Sequence, residues 1–290
     1  MSGLFIHSAA AFIGEADADV NLLKEELRKY APENFRRVNR FILLALIGAR
    51  RCVQGQTLEA DTGLYLTTEH GNLGDTVAVL DEIYAGRSLP KPFGFINTMS
   101  NTAAFYLAQN LGTRGRNITV SSQCLSFERG LDLVATDVAA GAEHSALIGG
   151  VDMAPLDRAG GEDRESRGGR RVDGSGWFYL RPGREGACGA VTANRSFRDG
   201  AAGLEWVRNR EDQAASLVAF GASIGGDEAA RWREALGPAA PFDYLAETGY
   251  CGSAAACGIA RFVRNVRGTK LLHINRDRRG SYALLEVESF

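Results

Sequence analysis

Cys124 is the residue of this 290-residue chain best placed to do chemistry. It follows a β-branched run, Ile118-Thr119-Val120-Ser121-Ser122, and opens a stretch in which Leu131, Val134 and Val138 recur at helical spacing. A thiol at the start of a helix meets unpaired backbone N–H groups and the positive end of the helix dipole, which together favour the thiolate. Such a sulfur can attack an acyl thioester. Most free cysteines are instead buried and inert, and spacing alone leaves Cys124 between the two. Proton transfer or oxyanion stabilisation would need partners, and the chain has four histidines. His7 and His273 fall on expected core strands, where a satisfied structural histidine is the commoner outcome. His144 follows the turn Gly141-Ala142-Glu143 and reads as exposed, and His70 lies in the loop-like Glu69-His70-Gly71-Asn72. His273, beside a C-terminal turn, is the one kept as a candidate.

Other chemistries find less support. The five cysteines are an odd number without a C-x-x-C pair, against both a disulfide framework and a zinc site. Glycines at Gly149, Gly150, Gly221, Gly225 and Gly226 are not followed by the Lys-Ser/Thr of a phosphate loop. No metal or other cofactor is therefore expected. A net charge of −2 gives no footprint for nucleic acid, and the arginines of 164–171, set among Gly, Glu and Asp, read as a solvated loop. No apolar stretch approaches the ~20 residues that span a bilayer. The N-terminus lacks a basic region before its short apolar run and reads as a first strand, Leu4 to His7, rather than a signal peptide. A reducing cytoplasm is the simplest setting.

The elements that must hold these residues alternate. Helices are expected at 19–30, 37–51, 75–85, 100–111, 125–140, 227–236 and 252–266. Strands are expected at 62–67, 117–121, 145–150, 176–180, 186–192, 216–220, 269–274 and 281–287, and loops at 84–94 and 157–175. With 45% hydrophobic residues this is α/β material with buried central strands. The segment 249–260 carries little bulk, which suits a helix packed closely around a pocket.

The stretch Asn101–Asp152, with LGTRGRNITVSSQC ahead of its helix, resembles the β-ketoacyl synthase core of the thiolase superfamily, where the nucleophilic cysteine occupies the position of Cys124. VAFGASIGGDE (218–228) is similar to that family's HGTGT segment, and ETGYCGSAAACG (247–258) to its K-S-x-x-G-H-x-x-G-A-A-G segment. VDGSGWFYL (172–180) and REGACGAVTA (184–193) resemble the two strands between. The resemblance implies a shortened thiolase-like fold, two βαβαβαββ halves in a five-layered α-β-α-β-α arrangement, divided as 1–194 and 195–290. It also implies that the chemistry partners are gone. Phe220 and Tyr250 stand at the two histidine positions, Leu245 at the lysine position, and Asn275–Ser281 (NRDRRGS) at the gating Gly-Phe-Gly-Gly loop. Losing one oxyanion donor costs about 10²–10³ in rate.

The implied function is that of a non-condensing, chain-length-factor type subunit. It would pair with a full-length ketosynthase as a heterodimer, meet acyl carrier protein through that complex, and act in type II polyketide or fatty-acid-like biosynthesis. The short length and FINTMSNTAAFYLAQNLG (95–112) are most similar to the truncated ketosynthase partner of aryl-polyene systems. By the same resemblance the dimer strand is Asn117, Ile118, Thr119, Val120 and Ser121. The acyl-pocket candidates are Phe105 and Tyr106, which could equally fill this subunit's own core. Two rival readings are a Cys124-dependent acyltransferase and a homodimeric acyl-binding scaffold.

Overall fold

The computed structural model describes residues 5–31, 35, 38–155, 170–210 and 215–290. Ten strands form one ladder. They are β1 (Phe5–Glu15), β2 (Gly63–Thr67), β3 (Asn117–Val120), β4 (Ala146–Asp152), β5 (Val172–Arg181), β6 (Gly189–Phe197), β7 (Leu217–Phe220), β8 (Ala240–Pro241), β9 (Thr269–Arg276) and β10 (Tyr282–Ser289). The order β3-β2-β4-β5-β1 is repeated as β8-β7-β9-β10-β6. In each half the first three strands of that order are parallel and the next is antiparallel to them. Within the sheet the halves meet at two residue pairs, Phe5–Ala190 and Ile6–Gly189. The 194/195 division expected from the sequence falls within β6, which pairs with β10.

Helices cover both faces. The first half carries α1 (Val20–Arg28), α2 (Arg40–Val53), α3 (Leu73–Tyr84), α4 (Pro92–Asn97), α5 (Asn101–Leu111) and α6 (Ser126–Ala139). The second carries α7 (Gly200–Arg208), α8 (Gly226–Leu236), α9 (Tyr244–Thr248) and α10 (Ala254–Asn265). Three cores separate five layers. One packs α1, α2 and α5 on the outer face of the first half; a second encloses α6 and α10 between the sheets; a third packs α7 and α8 outside the second half. Strand alternation divides the side chains: Trp177 and Tyr179 of β5 face outward, while Phe178 and Leu180 face the middle layer. This is the five-layered thiolase-like arrangement.

The middle layer is thin, and its residues explain why. Nine of the twelve residues of α10 are buried. A Cβ on Gly176 would collide with the α10 backbone at Ala256, and one on Gly258 with the Tyr244 ring. Gly150 has the same use, with Ala256 and Ser253 in the space beside it, while Gly149 opens to the other face, where Trp177 of the outer core fills the space. Bulk at any of these positions would push the layers apart.

Several boundaries differ from expectation. Leu4 lies outside the described residues, and β1 runs on to Glu15 because it pairs with β5 along its length. Of the loop expected at 157–175, residues 172–175 belong to β5, and 156–169, with most of the arginine run, lie outside the described residues. Three helices went unanticipated. The first, α4, begins at a proline that suits a first helical turn. The second, α7, is rich in glycine but capped by Asp199, which accepts from the Ala202 N–H at 2.9 Å. The third, α9, has only five residues. Among the described residues no helix is long and apolar enough to cross a membrane.

Candidate active site

Parallel strands deliver their C-terminal ends to one place, the usual position of a site in an α/β sheet. Glu69 follows β2, Cys124 follows β3, Asp152 ends β4, Ser223 follows β7 and Asn275 lies near the end of β9. Four of these line one small cavity together with Tyr250, Cys251 and Tyr244: Glu69, Cys124, Ser223 and Asn275.

Cys124 is presented by a tight turn. Gln123 before it takes a positive φ of 54°, a conformation most side chains avoid. The Ser126 hydroxyl accepts from the Ser122 N–H at 2.8 Å and lies 2.6 Å from the Gln123 carbonyl. The helix that follows starts at Ser126, two residues after the cysteine. The Asn275 amide donates to the Cys124 carbonyl at 2.8 Å, tying the turn to the second half of the molecule.

The half-buried thiol sits 3.6 Å from a Glu69 carboxylate oxygen and 3.6 Å from the Ser223 hydroxyl. Glu69 holds the S–H proton as an acceptor, which is the reverse of the cationic surroundings that favour thiolate. The cavity is about 20 Å³, room for about one water. Among the described residues no histidine lines it.

Behind Glu69, Asp152 is fully buried, and burial pushes its carboxyl up to about 7. It accepts from the Thr68 hydroxyl at 2.8 Å and from the N–H groups of Glu69 and His70 at 3.0 and 2.9 Å. Gly252 is required opposite, since a Cβ there would strike both Asp152 and Glu69. His70, partly exposed, stands 4.0 Å from Glu69 and 3.9 Å from Asp152, so it borders the site rather than belonging to a detached loop.

Beneath Cys124 lies a second buried group. Asn275 also donates to Glu128 at 3.0 Å, and His273 Nδ1 is 3.6 Å from the same Glu128 oxygen. The far side of the His273 ring meets the Tyr244 hydroxyl at 3.0 Å. Burial pushes Glu128 up to about 7 and His273 down to about 3. His273 is therefore a neutral ring at ordinary pH, and its contact with Glu128 is not an ion pair. It is fully buried on β9.

The remaining sequence-derived candidates divide. Cys124 and Tyr250 share the cavity, but Phe220 and Leu245 do not line it. Phe220 faces the outer layer, with the Arg233 guanidinium 5.3 Å from its ring centre, and Leu245 lines the same outer cleft. From the HGTGT-like segment it is Ser223, three residues on, that reaches the cysteine. In place of the gating loop, Asn275 and Arg276 belong to β9, and Asp277 closes a tight hairpin by accepting from the Arg279 and Ser281 N–H groups. Phe105 is 59% exposed, while Tyr106 packs partly into the outer core beside it. The strand Asn117–Val120 lies at the end of the strand order, half-buried, with Ser121 just beyond it. Sequence reasoning missed Glu69, Asp152, Glu128 and Ser223, and named Asn275 only as the start of the segment at the gating-loop position. Their common signal was position at a parallel strand's C-terminal end or, for Glu128, one turn into the helix after the cysteine.

Among the described residues no group of His, Cys, Asp and Glu is arranged to hold a metal ion. Residues 6–163 match the model of the β-ketoacyl synthase N-terminal domain. No curated protein matches the chain. The fold is similar to the ishigamide ketosynthase/chain length factor, with a TM-score of 0.75 at 17% identity over 100% of both chains. It is equally similar, at 0.75 and 11% identity over 99% of each chain, to a chain of the complex of a type II PKS acyl-carrier protein with its ketosynthase bound to the hexaketide. With 3-oxoacyl-(acyl carrier protein) synthase III from Pseudomonas aeruginosa PAO1 the TM-score is 0.63 at 17% identity, over 99% of this chain and 98% of that one. At such identities the likeness establishes the fold alone. With more than half of its length matched by the domain model, the chain belongs to the β-ketoacyl synthase family, through that family's N-terminal domain.

Proposed function

We propose that this chain is a non-condensing ketosynthase-like subunit of chain-length-factor type, which pairs with an active ketosynthase and helps shape its acyl pocket. The observation that carries the reading is the cavity at Cys124. A space of about 20 Å³, walled by Tyr250 and bordered by a carboxylate, admits neither an acyl group nor a malonyl thioester. Condensation needs both, and it needs donors aimed at the developing enolate.

The surface supports the pairing. Nine of the ten exposed large hydrophobic residues among those described fall between Leu80 and Phe105, on α3, α4, α5 and their connections. This band adjoins β3, since α5 packs against that strand. An edge strand beside an apolar band is a surface that proteins rarely leave uncovered. The ketosynthase partner pairs along Asn117–Ser121, meets Phe105 at the rim of its acyl tunnel, and brings acyl carrier protein to the complex. The FINTMSNTAAFYLAQNLG segment favours aryl-polyene biosynthesis in the cytoplasm as the setting.

The test is co-expression with a full-length ketosynthase from the same source followed by native mass spectrometry. A one-to-one complex is expected. A chain that stays homodimeric beside the ketosynthase would favour the scaffold reading instead. A second reading, acyl transfer by Cys124 itself, draws on Glu69 as acceptor for the thiol proton. An acyl adduct mapped to Cys124 after incubation with acyl-carrier protein would favour it.

A further inference from the structure

A larger opening lies on the other side of β7. Along this strand Ala219 faces the middle layer, while Val218 and Phe220 face outward. The outer face borders a cleft of about 390 Å³, within the range of small-molecule sites and some twenty times the space at Cys124. Its origin is local. The edge strand β8 is two residues long, and its last rung is the Phe242 N–H bonded to the Val218 carbonyl at 2.8 Å. At Asp243 the chain turns away to cap α9, accepting from the Ala246 N–H at 3.3 Å. A wedge is left between β7, the start of α8 and α9.

The lining has two characters. Val218, Phe220, Ala229, Phe242 and Leu245 make an apolar wall, and Arg233 of α8 reaches over the Phe220 ring. Arg276 and Tyr282 engage the neighbouring Glu228. Among the described residues no carboxylate pairs with Arg233, although it is a charged, fork-shaped donor beside an apolar pocket. Asp243, the one acid in the wall, is held by the α9 cap.

We propose that this cleft binds a small amphiphilic carboxylate, its apolar tail against Phe220, Phe242 and Leu245 and its head on the Arg233 guanidinium. The site is separate from the Cys124 cavity and does not depend on the pairing proposed above. Both halves of the ligand are needed: the wall alone would take any apolar group, and an exposed arginine alone binds anions only weakly.

Titration calorimetry on the purified protein, in whatever assembly it forms, tests this with octanoate as probe, octanol as the neutral analogue and inorganic phosphate as the apolar-free anion. Octanoate binding is expected, weakened about tenfold or more in Arg233→Met, the loss of one charge-assisted contact. It should stay unchanged in Arg231→Met, an exposed arginine of the same helix that does not line the cleft. Melting temperatures check that both variants fold. Absence of octanoate binding at millimolar concentration, equal binding by Arg233→Met, or phosphate binding as tightly as octanoate would overturn the proposal.

Discussion

Glu128 shows how far the residue at each position departs from what condensation needs. A carboxyl sealed under the cysteine, held by Asn275 and beside a neutral His273, holds the turn in place but has no route to a substrate. Its cost is visible in pH. Burial raises Glu128 from 4.5 to about 7, so its favourable contribution is complete below about 4.5 and is lost as pH rises through 7. Asp152, also raised to about 7, acts in the same direction. His273 acts oppositely: pushed down to about 3, it favours folding above 6.5 and loses that contribution as pH falls towards 3. Melting temperature should therefore decline between pH 5 and 8. Glu128→Gln, which keeps an acceptor for Asn275, should flatten that decline and gain up to roughly 3 kcal/mol at pH 8. A Glu128→Gln profile parallel to the parent's would refute this. At Phe105 the expectation is different again. Its ring is 59% exposed, so Phe105→Ala should change the subunit's stability by less than about 1 kcal/mol while broadening the product lengths of the complex. Unaltered products would remove Phe105 from the tunnel.

Among the elements, β3 carries the heaviest expectation. It is parallel to β2, and the Thr68 N–H bonds to the Val120 carbonyl, so Ile118 and Val120 turn their backbone groups inward while Thr119 turns its own to the open edge. Thr119→Pro removes that outward N–H without touching the β2 ladder. Light scattering should show the variant's dimer weakened at least about tenfold, with an unchanged circular dichroism spectrum. A parent protein that is a soluble monomer at micromolar concentration would contradict the edge-pairing account itself. Legibility also varied by element. Strands with β-branched or aromatic runs, such as Asn117–Val120 and Leu217–Phe220, were readable because their periodicity is local. The helix α7 was hidden by its glycines and α4 by its proline, since capping and tertiary packing outweigh propensity there.

At the scale of the molecule, the doubled strand order follows from the family resemblance rather than from any periodic signal in the residues. The site was legible where a family motif marks it, as at Cys124 after β3 and at Tyr250 between α9 and α10. It was not legible at Glu69, which meets the cysteine because β2 and β3 are parallel neighbours, nor at Ser223 or Asn275, which meet it because the second half closes over the first. The separation of Phe220 from Cys124 depends on side-chain direction at the end of β7, which spacing cannot decide. The central claim is that this closure leaves no room for condensation chemistry. The most direct measurement is the release of carbon dioxide from malonyl-carrier protein by the purified chain alone, for the parent and for Cys124→Ala. The account predicts no release above the uncatalysed background from either protein. Steady turnover by the parent that disappears in Cys124→Ala would contradict it.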